Sequence, residues 1–234
     1  MDVRGERECR ECGAQWSYYE TGSIRCPTCD SVRSRGVGER ALHTDAGVEL
    51  DLSEVRERAA DEDYREAARL ARDTTRTFLA GRGFISGGEL RPLGETYRRA
   101  AELRYVADGI ERRLQLDDDV VERFLALLRE EETGGPPAAL RGAYGLAAAD
   151  AADAYASEIR TWLEANQPDT DPTGALERLR EHVSRAEALD GEIAPETAEK
   201  LVAAARDIGR ACREDDPTAL AAAEETLTAL EKGE

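Results

Sequence analysis

The chain has 234 residues, enough for one or two domains with a sizeable core. It carries 32 basic and 50 acidic side chains, a formal net charge of −18, and only 5% aromatic residues. No run of about 18 apolar residues occurs, and the opening Met-Asp-Val-Arg-Gly-Glu-Arg lacks the apolar centre of a secretion signal, so the sequence reads as cytoplasmic with no membrane span.

Residues 1–46 hold four of the five cysteines, as Cys9-x-x-Cys12 and Cys26-x-x-Cys29 with thirteen residues between the pairs. Each pair lets two thiolates reach one ion from a tight knuckle, and four thiolates at about 2.3 Å suit tetrahedral Zn²⁺. Paired spacing in a reducing compartment favours metal over disulfides. Gly13 follows the first pair, where the turn needs a positive φ. Asp30 holds the equivalent place after the second, and Pro27 stiffens that knuckle. Between the pairs, Gln15–Glu20 reads as a strand with Trp16 and Tyr18 on one face. Thr21-Gly22 then turns the chain and Ile24 begins the return. A hairpin this small needs the ion to fold. Four protein ligands leave no open position, which argues against zinc catalysis.

Residues 47–132 and 137–234 read as helical, separated by the breaker Thr133-Gly134-Gly135-Pro136-Pro137, and the two stretches are able to form one bundle. Ser53 is placed as the cap of a helix running to about Ala80, with Val55, Ala59, Ala67, Leu70, Thr74 and Phe78 inside. A segment with five glycines, residues 81–94, follows. It reads as a connector plugged into the core by Phe84, Ile85 and Leu90. A second helix runs from about Gly94 to Leu116, striped by Tyr97, Leu103, Val106, Ile110 and Leu114. A third begins at Asp119, paired with Glu122 as a capping box, with Val121, Phe124, Leu125 and Leu128 inside. An Ala-rich helix covers about Pro137–Asn166. Asp171-Pro172, Ala194-Pro195 and Asp216-Pro217 each open a further helix, because proline suits the first helical position. Leu176, Leu179, Val183 and Leu189 stripe the first of these three. One-face stripes require partners, so the expected fold is mainly α: a small N-terminal β zinc ribbon (1–46) followed by an α-helical bundle.

The acidity has a physical use. At roughly 1 M salt the Debye length is about 3 Å, self-repulsion is screened, and an acidic surface keeps a chain dispersed. Lys200 and Lys232 are the only lysines. That bias suggests a halophilic protein.

Cys9-Arg-Glu-Cys12-Gly13 and Cys26-Pro27-Thr-Cys29 resemble a zinc ribbon of the transcription-factor-B or rubredoxin-like kind over roughly residues 5–35. The whole chain also resembles an uncharacterised group of haloarchaeal proteins with such a ribbon. The resemblance implies structural Zn²⁺ on Cys9, Cys12, Cys26 and Cys29, with contact to nucleic acid or transcription proteins. It implies no activity.

Charge narrows the choice of partner. Residues 1–45 carry seven basic and eight acidic side chains. Apart from Arg33, Arg35 and Arg40, no basic patch stands out, so direct nucleic-acid binding lacks its usual footprint. A protein partner fits better. No Gly-rich phosphate loop, Gly-x-Ser-x-Gly or His-Glu-x-x-His occurs, so no catalytic residues are assigned. Cys212 reads as an idle buried thiol and His182 as a surface residue. The acidic runs 117–119 and 130–132 read as solvated helix ends. The alternative function is rubredoxin-like one-iron electron transfer, since thiolates alone do not select the metal. A rubrerythrin-like di-iron centre is excluded by the missing Glu-x-x-His pairs: Arg40 and Leu179 stand three before His43 and His182.

Overall fold

The computed structural model describes residues 2–113, 115–131 and 134–233, so Leu114, Glu132 and Thr133 lie outside the described residues. The fold is mainly α with a small N-terminal antiparallel sheet. β1 (Asp2–Cys9) is the central strand, flanked by β2 (Gln15–Ser17) and β3 (Ser34–Leu42). Its pairing with β3 sets Glu8 opposite Arg35, and the two side chains meet at 2.8 Å. Opposite charges across a ladder support the register.

The hairpin expected over Gln15–Glu20 is not formed. β2 stops at Ser17, and α1 (Tyr18–Thr21) winds a single helical turn closed by Gly22 at φ 60. The Thr21 hydroxyl donates to the Ser17 carbonyl at 2.8 Å, a local bond that competes with strand continuation. Ile24 begins no return strand; the chain turns through the second cysteine pair and returns as β3 against β1.

The helix expected from Ser53 to Ala80 is two helices, α2 (Ser53–Ala60) and α3 (Tyr64–Gly81). Glu62 at φ 61 breaks them apart, and Asp63 caps the second by accepting the Glu66 N–H. Ser53 is not the cap; the Asp51 carboxylate accepts its N–H at 2.9 Å. β4 (Ile85–Ser86) and β5 (Glu89–Leu90) form a small hairpin whose Gly87 and Gly88 both have positive φ. Phe84, Ile85 and Leu90 are buried, so the connector plugs into the core as the apolar anchors suggest.

α4 (Glu95–Arg112) follows, then α5 (Asp118–Arg129). Asp119 and Glu122 make no capping box: Asp117 occupies the N-cap position without a side-chain bond. The buried stripe of α5 is Val120, Phe124, Leu127 and Leu128, so the helix is rotated slightly from the expected face. α6 (Arg141–Leu163), preceded by a 3-10 turn at Ala138–Leu140, runs through the centre. α7 (Thr173–Ala188), α8 (Pro195–Glu214) and α9 (Pro217–Lys232) complete the bundle, with Pro195 and Pro217 at helix starts as expected. In α7, Leu189 falls past the last turn and is exposed, whereas His182 is buried, both contrary to the sequence reading. No helix among the described residues is long and apolar enough to cross a membrane.

Two apolar clusters hold these helices. One joins α2, α3, α4 and α5 through Val55, Ala67, Val106, Ile110 and Phe124. The other runs from Phe78 through Tyr97, Phe84 and Tyr155, whose rings lie 4.8–6.3 Å apart in sequence, to Leu201, Ile208 and Leu227. Offset and edge contacts of this kind add to the burial of the rings. Small residues let α6 approach its neighbours: a Cβ at Gly145 would lie 2.1 Å from the Gly191 carbonyl oxygen.

The end of β3 and the residues after it are bonded to the β4–β5 hairpin and to the end of α3. Gly88 donates to the Leu42 carbonyl at 2.7 Å, Thr44 to Ile85 at 2.9 Å, and Ala46 to Gly81 at 2.8 Å. Glu158 of α6 accepts the Phe84 N–H and the Thr44 hydroxyl, and the Trp162 indole donates to Gly88. The segment that follows β3 is therefore packed on the helices.

Candidate metal centre

The two cysteine pairs fold into the same local shape. In the first knuckle Gly13 donates to the Cys9 carbonyl at 3.1 Å, and the Glu11 N–H points at the Cys9 sulfur at 3.4 Å. In the second, Asp30 donates to the Cys26 carbonyl at 2.9 Å, and the Thr28 N–H points at the Cys26 sulfur at 3.4 Å. Gly13 has φ 75 and Asp30 φ 59, as the spacing requires. The Asp30 conformation is supported by Arg25, which donates to its carbonyl and carboxylate.

The knuckles face each other. The four Sγ atoms all lie within 4.8 Å of one another, with Cys9–Cys29 and Cys12–Cys26 at 3.6 Å. A tetrahedron with metal–sulfur arms of about 2.3 Å has edges of about 3.8 Å, so this group could hold one metal ion. The first cysteine of each pair is buried and the second exposed. Trp16 packs on the buried pair and donates through its indole to the Ser23 carbonyl at 2.9 Å. Tyr18 and Tyr19 face inward instead, with ring centroids 5.8 and 4.8 Å from His43, and the Tyr19 hydroxyl donates to Val3.

Four thiols this close cannot all ionise without a cation. The Cys12 and Glu11 N–H groups pull the Cys9 thiol down. Burial pushes Cys26 up, but the Cys29 and Thr28 N–H groups and the adjoining thiols outweigh it and bring it to about 6. The Ser31 N–H pulls Cys29 down, but crowding by Cys12 and Cys9 drives it up to about 12. Cys12 is raised too, with its contact to the Ala14 N–H outweighed by burial and by Cys26 and Cys9. A divalent cation would relieve that repulsion.

Of the arginines near the cysteines, two are paired with acidic side chains, and two exposed ones stand side by side. Arg33 pairs with Glu11 at 3.0 Å and Arg35 with Glu8, while Arg40 stands opposite Arg4 in the ladder. Cys212 is far from this chemistry in α8, where burial lifts its thiol to about 11 against the pull of Arg213.

Sequence reasoning missed a second polar assembly. Glu102 of α4 and Arg123 of α5 are 1% and 7% exposed and hydrogen-bonded at 2.7 Å. Arg98 extends this network, reaching Glu102 at 3.4 Å and Glu95 at 2.6 Å. Its only sequence signal is the charged stripe 95, 98, 99 and 102 at helical spacing on α4.

Comparison with curated proteins and with solved structures gives no match. A family model does match, over residues 1–227, and the chain therefore belongs to the family of unknown function DUF7117.

Proposed function

We propose that Cys9, Cys12, Cys26 and Cys29 bind one Zn²⁺ as a structural ion, and that the chain is a non-enzymatic interaction module built around that ribbon. The convergence of four sulfurs from two similarly built loops carries the reading. All donors are protein thiolates, so the centre leaves no place for water or substrate. Ile24 and Val32 flank the second knuckle and are 51% and 57% exposed, unusual for large apolar side chains in this molecule. Their exposure supports reading the ribbon tip as the face offered to a protein partner. The pairing of Arg33 and Arg35 with acidic neighbours supports a protein contact over nucleic acid. The acidic, lysine-poor composition supports a halophilic cytoplasmic setting, and the ribbon resemblance supports a link to transcription.

Titration of metal-free protein with Co²⁺ tests the site. The expected outcome is visible absorption of tetrahedral thiolate type, saturating at one equivalent, reversed by Zn²⁺, and lost in C12S and C29S. No such bands, or saturation unaffected by both substitutions, would refute the assignment. A rubredoxin-like iron centre is the second reading, because the same four thiolates in Cys-x-x-Cys knuckles suit iron.

A further inference from the structure

α5 carries more apolar surface than the core uses. Val120, Phe124, Leu127 and Leu128 are buried in the cluster it shares with α2, α3 and α4. Val121 and Leu125 stand one turn apart on another side of the helix and are only half-buried. With Leu116, Ala126 and Tyr64 at the start of α3, they line an open groove of about 580 Å³.

At about 3.6 residues per turn, Asp118, Val121, Glu122, Leu125 and Arg129 fall on one stripe of α5 along this groove. The charges on the stripe are unsatisfied within the chain. Asp118, Glu122 and Arg129 are exposed, and none makes an ion pair or a side-chain hydrogen bond among the described residues. The other arginine of α5 before the C-cap, Arg123, is turned inward to Glu102 at 2.7 Å.

The order of these charges selects an occupant. Acid lies toward the N-terminal end of the stripe, base at the C-terminal end, and Leu125 between them. A parallel copy of the same helix would set Arg129 against Arg129 and Glu122 against Glu122. An antiparallel copy, turned about a two-fold axis beside Leu125, reverses the order. Arg129 of each copy then lies level with Glu122 of the other and one turn from its Asp118. Glu122 and Arg129 are two turns apart, about 10 Å along the axis, so the two leucines meet between two identical ion-pair clusters. Antiparallel helices with axes about 8–10 Å apart bring such side chains into contact. The stripe is thus complementary to itself, as a two-fold interface requires.

We propose that the outer face of α5 is a self-association surface, where a second copy of this chain packs its own α5 antiparallel, apolar on apolar at Val121 and Leu125, with Arg129 held by Glu122 and Asp118 of the other copy. A contact built on one helix from each copy is at or below about 1,200 Å² of buried surface, the size of a weak, reversible dimer. This surface is separate from the cysteine ribbon and does not depend on the metal.

Sedimentation equilibrium of the full chain tests this, at up to about 100 µM, above a Kd near 10 µM. Salt at about 0.5 M screens the −18 charge of each copy beyond about 4 Å, while charges in contact still attract. The expected result is a reversible monomer–dimer equilibrium. V121E should leave a folded monomer, with thermal melts reporting the fold. E122R and R129E should each weaken the dimer about tenfold, because the two-fold axis repeats every contact. The double variant E122R/R129E should restore it, since each new charge again meets its opposite across the axis. A chain that stays monomeric at every concentration, a dimer indifferent to V121E, or single reversals that the double variant does not rescue would overturn the proposal.

Discussion

His43 accepts the Gly87 N–H through Nδ1 at 3.3 Å, and this bond joins the end of β3 to the β4–β5 hairpin. The bond sets the tautomer: Nδ1 must be unprotonated, so Nε2 carries the hydrogen, and Nε2 is buried with no partner among the described residues. Burial pushes the His43 pKa down against the opposing pull of Asp45.

That arrangement has a pH consequence. Burial likewise depresses His182, aided by Arg185. Both imidazoles are held neutral in the fold, whereas in the unfolded chain they take up a proton near pH 6.5. Their contribution to stability is therefore complete above about pH 6.5 and is lost as pH falls through the depressed folded values. Urea midpoints at pH 7.5 and 5.5 measure it. The native chain should lose more stability on acidification than H43Q, which keeps an acceptor for Gly87 and cannot titrate. Equal losses would remove His43 from this role.

The Glu102–Arg123 pair predicts an asymmetric mutational response. E102A leaves Arg123 buried without its partner and should cost about 3–5 kcal/mol. Replacing both by leucine or methionine should cost much less than either single change. Urea denaturation of the two single variants and the double variant checks the coupling, and additive losses would contradict it.

Two glycines in helices should respond oppositely to alanine. At Gly209 a Cβ would lie 2.1 Å from the Tyr155 hydroxyl oxygen, which is pinned by Arg213 at 2.8 Å. Overpacking there should destabilise by about 1–3 kcal/mol. At Gly174, near the start of α7, a Cβ meets nothing within 4 Å. G174A should stabilise by about 0.5–1 kcal/mol through helix propensity and reduced unfolded-state entropy. Thermal melts of both variants give the signs.

The cysteines should separate into two kinetic classes. With a chelator present, the two knuckles lose the ion that holds them, so Cys9, Cys12, Cys26 and Cys29 should become accessible and react with a thiol reagent well before the bundle unfolds. Cys212, buried and raised to about 11, should react only as fast as the bundle unfolds. A fifth thiol reacting with the first four would show that α8 is open.

The parts that could be read from sequence were those with a local chemical cause. Cys-x-x-Cys spacing, the positive φ at Gly13 and Asp30, and proline after Asp216 each depend on a few neighbouring residues. β1 was not legible as the central strand, because its residues are charged on both faces and its partner β3 lies some distance along the chain. The break at Glu62 escaped notice because apolar periodicity runs on across it, while a non-glycine residue takes the left-handed conformation. The Glu102–Arg123 pair was hidden for a similar reason: charged residues at helical spacing look like a solvated face until tertiary packing buries them.

The most direct test of the central claim is elemental analysis of the full chain purified in high salt, with a visible spectrum of the same sample. The account predicts one zinc per chain, no colour, and loss of the metal in C29S. Chelation should then change the Trp16 fluorescence, read in a W162F background, while the helical circular dichroism persists. One iron per chain with colour that bleaches reversibly on reduction would contradict the structural-zinc reading, and no bound metal with an unchanged Trp16 signal would contradict the metal centre itself.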